Sequence, residues 1–401
     1  MSRDHWERHS WGELASLEYG KALRGYRKGV GIGYRVYGTN GPIGWHSQPL
    51  FRGPGVIVGR KGAYRGIFFS KDPCWVIDTA FYLNIRDLEK VDPKFAFYQL
   101  KTVNLDDIDS GSAIPSTSRA AFYAIPIELP PLPIQHKMVA LLSTYDDLLE
   151  NNNRQINVLE EMARRIYYEW FVEFRYPGHD TVRLVNSQLG PAPDGWQIVS
   201  LEEICDLMKA GATPSRSRAV YWTDGTNDWF TTNELQDGFL LRSTEQVTDA
   251  ALADRKTHVF RSGTILMAIY GSPTVGRLGV LVTDGCCNQA ALAMRSREER
   301  VPQMALFYLL MNLRDHFNRI AHGAAQQNIS KEKVGATRVL CPPAALLSHW
   351  ADLIRPLWQQ RLVLTKAVSN LKSSRDLLLP RLISGEIDVT ELNVALPAPA
   401  D

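Results

Sequence analysis

Asp249, Asp254 and Lys256 come nearest to a reaction centre. Two carboxylates and a lysine could hold a divalent metal and polarise a phosphodiester, as a metal-dependent nuclease requires. Spacing this loose arises often by chance, and the group reads as structural. No G-x-x-x-x-G-K-S/T is present, so there is no P-loop. Gly29, Gly31 and Gly33 are closely spaced but lack the strand-to-helix context of a dinucleotide or methyl-donor loop. The Asp/Asn-Pro-Pro-Tyr/Phe segment expected of an amino-methyltransferase is missing. His179-Asp180, His322 and the vicinal Cys286-Cys287 have no partner pattern and read as structural. Cys74, Cys205 and Cys341 complete a set of five with no C-x-x-C, which fits a reducing compartment, no zinc site and a cytoplasmic location. The N-terminus lacks the apolar core of a signal peptide, and no apolar run is long enough to span a membrane. The chain thus carries no convincing catalytic site.

Binding chemistry is better represented. From Gly20 to Lys71 there are ten basic residues and no Asp or Glu, with Tyr26, Tyr34, Tyr37, Trp45 and Tyr64 interleaved. Elsewhere 35 basic groups face 43 acidic ones, so the overall charge of +2 hides a strong asymmetry. An acid-free basic stretch suits a polyphosphate surface, with Lys and Arg positioning phosphates and a few planar donors reading bases.

A chain of 401 residues, 45% hydrophobic and 22% charged, is globular and long enough for two to four domains. An internal repeat organises it. Gly111-Ser112-Ala113 matches Gly323-Ala324-Ala325, Ser118 matches Ser330, and Pro130-Pro131 matches Pro342-Pro343, all at an offset of 212 residues. After the prolines each copy becomes a long helix, expected from about Ile134 to Phe174 and from about Ala345 to Ile383. Apolar residues recur at spacings of three and four: Leu142, Tyr145, Leu149, Asn152, Ile156, Leu159 and Ile166 in one, Leu357, Leu364, Leu371 and Leu378 in the other. That heptad seam predicts two coiled-coil helices that pack on each other, with Asn152 setting register or, alternatively, marking where a partner enters. Pro356 and Pro380 are expected to kink the second helix near its ends.

The rest divides into two blocks of short apolar runs broken by Gly and Pro, mixed α/β in character. Gly55–Gly59 echoes Gly263–Met267, and Asp78–Phe81 echoes Asn288–Ala291. Helical runs are expected at Phe95–Lys101 and Pro302–Arg319. The expected domains are 1–130, a spacer helix at 131–175, 176–343, a second spacer helix at 344–387, and a disordered tail at 388–401. A linker is expected at 175–180, continuing to 190–195. If each block reads DNA, such pseudo-two-fold architecture implies two different half-sites in one asymmetric, split target, with the helices as a ruler.

These segments resemble the specificity subunit of type I restriction–modification enzymes over essentially the whole length. The resemblance is carried by Leu129-Pro130-Pro131-Leu132-Pro133-Ile134-Gln135-His136-Lys137, by Leu148–Asn153 and Leu159–Ala163, and by Leu379–Ile387 in the second copy. In the first block it is carried by Leu17–Leu23, Tyr37–Gly41 and Val58–Gly62. It implies two α/β target-recognition domains, each reading half of a bipartite site, and two antiparallel helices that set the gap and bind two modification subunits. Those partners would hold S-adenosylmethionine and methylate adenine. Two restriction and translocase subunits would use ATP and magnesium. This chain would bind double-stranded DNA, hold no cofactor and catalyse nothing. Its loop Ala325–Asn328 departs from its counterpart Ala113–Ser116, which makes the two loops unequal.

The expected DNA-facing residues in the first domain are Lys21, Arg24, Tyr37, Thr39, Asn40, Arg60, Lys61, Arg65, Ser116 and Arg119. In the second they are Thr213, Ser215, Arg216, Arg218, Thr231, Asn233, Tyr270, Ser272, Arg277, Gln326, Gln327 and Asn328. Arg can donate two bonds to guanine and Asn can pair with adenine, while Lys21 and Lys61 suit phosphates. Two readings compete. A stand-alone nuclease or methyltransferase would need the Asp249 group to be real, and a protein-only scaffold leaves the basic stretch unexplained.

Overall fold

The computed structural model describes residues 5–26, 31–111, 114–271, 274–322 and 328–392. Two compact units emerge, Met1–Glu150 with Ser369–Asp401, and Asn151–Val368. Each contains a mixed α/β body and a stretch of both long helices, Leu132–Phe171 and Ala344–Ile383.

In unit 1 the strands are β1 (Glu7–Ser10), β2 (Ala15–Tyr19), β3 (Tyr34–Gly38), β4 (Gly41–His46) and β5 (Gly55–Gly59). They continue with β6 (Ile67–Ser70), β7 (Cys74–Val76), β8 (Ala80–Ile85) and β9 (Pro126–Leu129). β2-β8-β5-β6 form an antiparallel sheet, β4-β3-β7 a second sheet in which β3 and β7 are parallel, and β1-β9 a ribbon. β5, Gly-Val-Ile-Val-Gly, is buried along its whole length, which is why it reads as an unbroken apolar run. Helix Pro93–Lys101 starts at Asp92, whose side chain accepts from the amides of Lys94 and Phe95 at 2.8 Å, with Pro93 in the first turn.

One core holds Trp11, Leu17, Val58, Phe81, Phe95 and Phe122 together with Met138 and Leu142 of the first long helix and Leu382 and Ile383 of the second. The buried Gln135 amide donates to the carbonyls of Lys90 (2.7 Å) and Pro130 (2.8 Å) and accepts from the Asp92 amide (2.9 Å). It thereby satisfies three backbone groups where the body meets the helix. Further along, Asp146 accepts from Arg375 at 3.0 Å and from the Tyr98 hydroxyl at 2.5 Å.

Unit 2 adds β10 (Leu184–Ser187), β11 (Gly190–Pro193), β12 (Gln197–Ser200), β13 (Cys205–Ala210), β14 (Asn227–Phe230) and β15 (Gly238–Leu240). Then come β16 (Gln246–Val247), β17 (Ile265–Ala268), β18 (Leu278–Leu281), β19 (Cys286–Cys287), β20 (Ala291–Ser296) and β21 (Arg338–Cys341). β13-β20-β17-β18-β15, β16-β14-β19 and β12-β21 repeat the three sheets of unit 1, with β15 as an added edge strand. Again one pair of the small sheet, β14 and β19, is parallel. The stretch expected as a linker is folded in part: β10 and β11 form a hairpin and His179–Thr181 a 3-10 turn.

The expected run Pro302–Arg319 is two helices, Gln303–Asn312 and Arg314–His322. Both Pro356 and Pro380 lie inside an uninterrupted second long helix, so neither ends it. Its partner also starts earlier and ends earlier than the expected 134–174. In unit 2 the helices run antiparallel: Glu160 meets Arg361, Tyr167 packs on Trp350 and Trp170 on His349. Arg361 is only 3% exposed; its guanidinium also donates to the Tyr308 hydroxyl and the Asp237 carbonyl, both at 3.3 Å. Burial pushes the Glu160 carboxyl up, against the pull of Arg361.

Every seam position named from the sequence is shielded. Leu142, Leu149 and Leu364 are buried, and Tyr145, Asn152, Ile156, Leu159, Ile166, Leu357, Leu371 and Leu378 are half-buried. All five cysteines are buried and free. Burial pushes the thiols of Cys74 and Cys286 up to about 11 and that of Cys205 to about 12. Among the described residues no helix is long and apolar enough to cross a membrane.

Candidate nucleic-acid interface

In unit 1 the ends of β2, β3 and β5 and the starts of β6 and β8 converge on one edge of the body. The chain leaves β2 at Gly20, whose amide donates to the Ala80 carbonyl (3.1 Å). A Cβ there would sit 2.0 Å from the Ile77 carbonyl oxygen, so only glycine permits this approach. Lys21 then bonds to Val76 (2.9 Å), Arg60 to Thr79 (2.9 Å), and Thr117 back to Arg60 (2.9 Å). Residues 20–21, 60–62, 78–79 and 115–119 are distant in sequence, and backbone hydrogen bonds hold them together.

Side chains on this edge form an arginine–tyrosine stack. Arg60 lies over the Tyr19 ring at 4.7 Å and donates to the Asp78 carbonyl at 2.8 Å. Arg119 covers the same ring at 5.2 Å and donates to the Tyr123 hydroxyl at 3.0 Å, which holds its guanidinium more firmly charged. Tyr123 in turn accepts from the Leu17 amide (3.0 Å), so the stack is anchored to β2. Lys21, Arg24, Asn40 and Lys61 are exposed.

The remaining expected residues of unit 1 sit differently. The side chain of Arg65 is 1% exposed and clamped by Asp106 and Asp109, each at 2.8 Å. It holds the 105–109 segment to the body and is turned away from solvent. The Thr39 hydroxyl is buried, and Tyr37 is half-buried, its phenol pushed up by burial. Ser116 bonds to Ser110 through its hydroxyl and to Asp109 through its amide. Arg27 and Lys28 of the basic stretch, and Gly29, lie outside the described residues.

Unit 2 builds its edge on the same backbone bonds. Gly211 donates to Ala291 (3.0 Å), Ala212 to Cys287 (3.0 Å), Ile269 to Ala290 (2.8 Å) and Ile329 to Ile269 (2.9 Å). Gly211 is again forced, since a Cβ would lie 2.2 Å from the Cys287 carbonyl oxygen. Thr213 and Tyr270 follow these bonded residues in the chain, and Asn328 Oδ1 accepts from the Gly271 amide at 3.2 Å. Arg277 is half-buried at the start of β18. Ser215, Arg216 and Arg218 follow on an exposed loop. Arg216 lies 3.7 Å over Trp222 and makes a two-pronged pair with Glu245 (2.6 and 2.8 Å), while Arg218 donates to the Tyr221 hydroxyl (2.7 Å). Thr231 is tied down by Glu234, and Asn233 beside it is exposed. Ser272, Gln326 and Gln327 lie outside the described residues, as do the His322 side chain and 393–401 of the expected tail.

Sequence reading missed Tyr19, Tyr123 and Trp222, the aromatic rings that fix Arg60, Arg119 and Arg216, and also Asp78 and Gln289 on the edge itself. Tyr19 precedes the Gly20-Lys21 step, a signal that was available; the others are visible only once distant strands meet. The weak nuclease group dissolves into local structure: Asp249 accepts from Asn227 (2.9 Å) and Asp254 from Tyr221 (2.7 Å).

The two α/β bodies also match known proteins. The family model described as "Type I restriction modification DNA specificity domain" matches residues 3–161 and 193–345. The type I restriction enzyme MjaIX specificity subunit of Methanocaldococcus jannaschii is 24% identical over 78% of this chain and 73% of its own length. The MjaVIII specificity subunit of the same organism is 22% identical over 76% and 72%. The crystal structure of a type I restriction–modification system S subunit from M. genitalium matches with a TM-score of 0.60 at 16% identity, covering 94% of this chain and 96% of that one. With both α/β bodies matched by one family model, the chain belongs to the type I restriction–modification DNA specificity family.

Proposed function

We propose that this chain is the DNA-recognition subunit of a type I restriction–modification complex, reading one half of a split, asymmetric double-stranded site with each unit. The observation that carries this is the pair of edges built on one backbone frame but furnished with different side chains. A symmetric reader would present the same residues twice. Lys21, Arg24, Lys61 and the stacked Arg60 and Arg119 supply phosphate and base contacts in unit 1. Thr213, Tyr270, Asn328, Arg218 and Asn233 supply them in unit 2. Arg65 is left out of this set, because its ion pairs face inward.

The chain performs recognition and no chemistry. Methyl transfer, translocation and cleavage, with S-adenosylmethionine, ATP and magnesium, belong to two modification and two restriction subunits. The long helices set the gap between half-sites and offer the surface for the modification subunits. The setting is the cytoplasm.

Genome-wide methylation mapping with and without this gene is the test. Loss of one split, asymmetric adenine-methylated motif on deletion is expected. An unchanged map, together with DNA binding by the purified chain that does not weaken as salt is raised, would overturn the reading.

A further inference from the structure

The two edges share a β-turn whose second residue differs. In unit 1 the turn spans Ile77 to Ala80, closed by Ala80 N–H to the Ile77 carbonyl (3.0 Å). In unit 2 it spans Asn288 to Ala291, closed by Ala291 N–H to the Asn288 carbonyl (3.1 Å). Both turns are pinned from the small sheet: Ile77 donates to Tyr37 (2.9 Å) and Asn288 to Phe230 (3.0 Å). The third residue of each accepts from the residue after the central strand, Thr79 from Arg60 and Ala290 from Ile269. The second residues, Asp78 and Gln289, therefore occupy one and the same place on the frame. Both are exposed.

We propose that Asp78 and Gln289 are a matched pair of base-reading residues, each setting one base of its own half-site. This rests on the DNA-reading role proposed above. Asp78 is a carboxylate on an edge rich in Arg and Lys. It cannot serve a phosphate, which carries the same charge, so its place is against a base edge. A carboxylate only accepts hydrogen bonds. In the major groove the matching donor is the N4 amino group of cytosine. Adenine sets its N7 acceptor beside the N6 amino group, and that lone pair repels a carboxylate. Asp78 therefore selects cytosine. The bond from Arg60 to the Asp78 carbonyl fixes the turn and leaves the carboxyl group to the base.

Gln289 has the donor and acceptor that adenine requires, N–H to N7 and carbonyl oxygen from N6. The Thr213 hydroxyl donates to Gln289 Oε1, which selects one amide orientation. A carbonyl oxygen accepts twice, so the second lone pair and the NH2 group remain for the base. Gln289 selects adenine, and Thr213 is its positioning residue.

The test is selection of bound duplexes from a randomised library by the full chain, comparing wild type with Asp78→Asn and Gln289→Glu. Asp78→Asn adds an amide donor and is expected to move one position of one half-site from cytosine to adenine. Gln289→Glu removes that donor and is expected to move one position of the other half-site from adenine to cytosine. Each preference should change by roughly ten- to a hundredfold. Both side chains are exposed, so thermal unfolding should coincide with wild type and show that the variants fold. Variants that select the wild-type motif, or that change both half-sites together, would overturn the pairing while leaving the DNA-reading role intact. A wild-type chain that selects nothing would overturn that role and the pairing with it.

Discussion

In unit 1 the residue after the central strand is Arg60, stacked on Tyr19; in unit 2 it is Ile269, buried in the core. The next residue is Lys61 in one and Tyr270 in the other, and the residue leaving the first strand of the sheet is Lys21 against Ala212. Yet the hydrogen bonds through which these residues are placed are the same. The frame is written in backbone amides and carbonyls and in two glycines that no other residue could replace. Identity on the frame is free to differ because the bonds that hold it run through the backbone and not through the side chains. One edge is an array of cations and the other mostly neutral polar groups, with Arg216 already neutralised by Glu245. The halves thus share a mould and, on the proposed function, would read their half-sites differently, one largely through charge and the other largely through neutral polar groups.

The same contrast runs through the helix seam. Each unit carries a tyrosine on its body helix that meets an ion pair between the long helices, Tyr98 at Asp146–Arg375 and Tyr308 at Glu160–Arg361. In unit 1 the tyrosine donates to the carboxylate; in unit 2 it accepts from the guanidinium. The first pair is about a quarter exposed, the second almost wholly buried on its arginine side.

The largest expected effect breaks this second comparison. Arg361→Ala strands the buried Glu160 carboxylate and is expected to destabilise unit 2 by ~3–5 kcal/mol. Arg375→Ala, in a partly solvated pair, should cost unit 1 only about 1 kcal/mol. Denaturant unfolding followed by Trp fluorescence measures both, and equal losses would show that the two latches are not graded by burial. Next comes the contrast between edges. Arg60→Ala is expected to weaken DNA binding by ~1–3 kcal/mol and to lower the salt slope by about one, whereas Tyr270→Ala should leave the slope unchanged. Titrations at several salt concentrations decide this, and the same slope for both variants would erase the proposed division. The smallest effect is at the cysteines. With their thiols neutral and buried in both units, labelling at pH 8 should be negligible in the folded chain and reach all five on unfolding. A fast-reacting thiol would expose a unit that opens locally.

Much of this was legible before any coordinates. Heptad spacing placed the two long helices to within a few residues, because a periodic apolar stripe has few ways to be buried. The 212-residue offset located Ser118 and Ser330, which cap matching short helices. The strand echoes were recognisable but one residue out of register. Asp78 corresponds to Gln289 and not to Asn288, since only the turn hydrogen bonds fix the alignment. For the edge, charge pointed to segments that fold together but not to the part each residue plays there. Arg65 looks like Arg60 in a basic run; its carboxylate partners, Asp106 and Asp109, come some forty positions later. Tyr123 and Gln289 acquire meaning only from what folds against them.

One feature of chain order shapes how the molecule is made. Unit 2 is continuous in sequence, whereas unit 1 takes its closing segment, with Leu382 and Ile383, from residues beyond 368. On the ribosome, the first domain to emerge is the last to be finished. At ~5–20 residues per second, its apolar face with Met138 and Leu142 waits on the order of 10–45 s for its cover, while the second domain folds in the interval. A nascent chain arrested at the end of that window, with Val368 emerged and Leu382 and Ile383 still to come, would carry a complete second reader and an open first one.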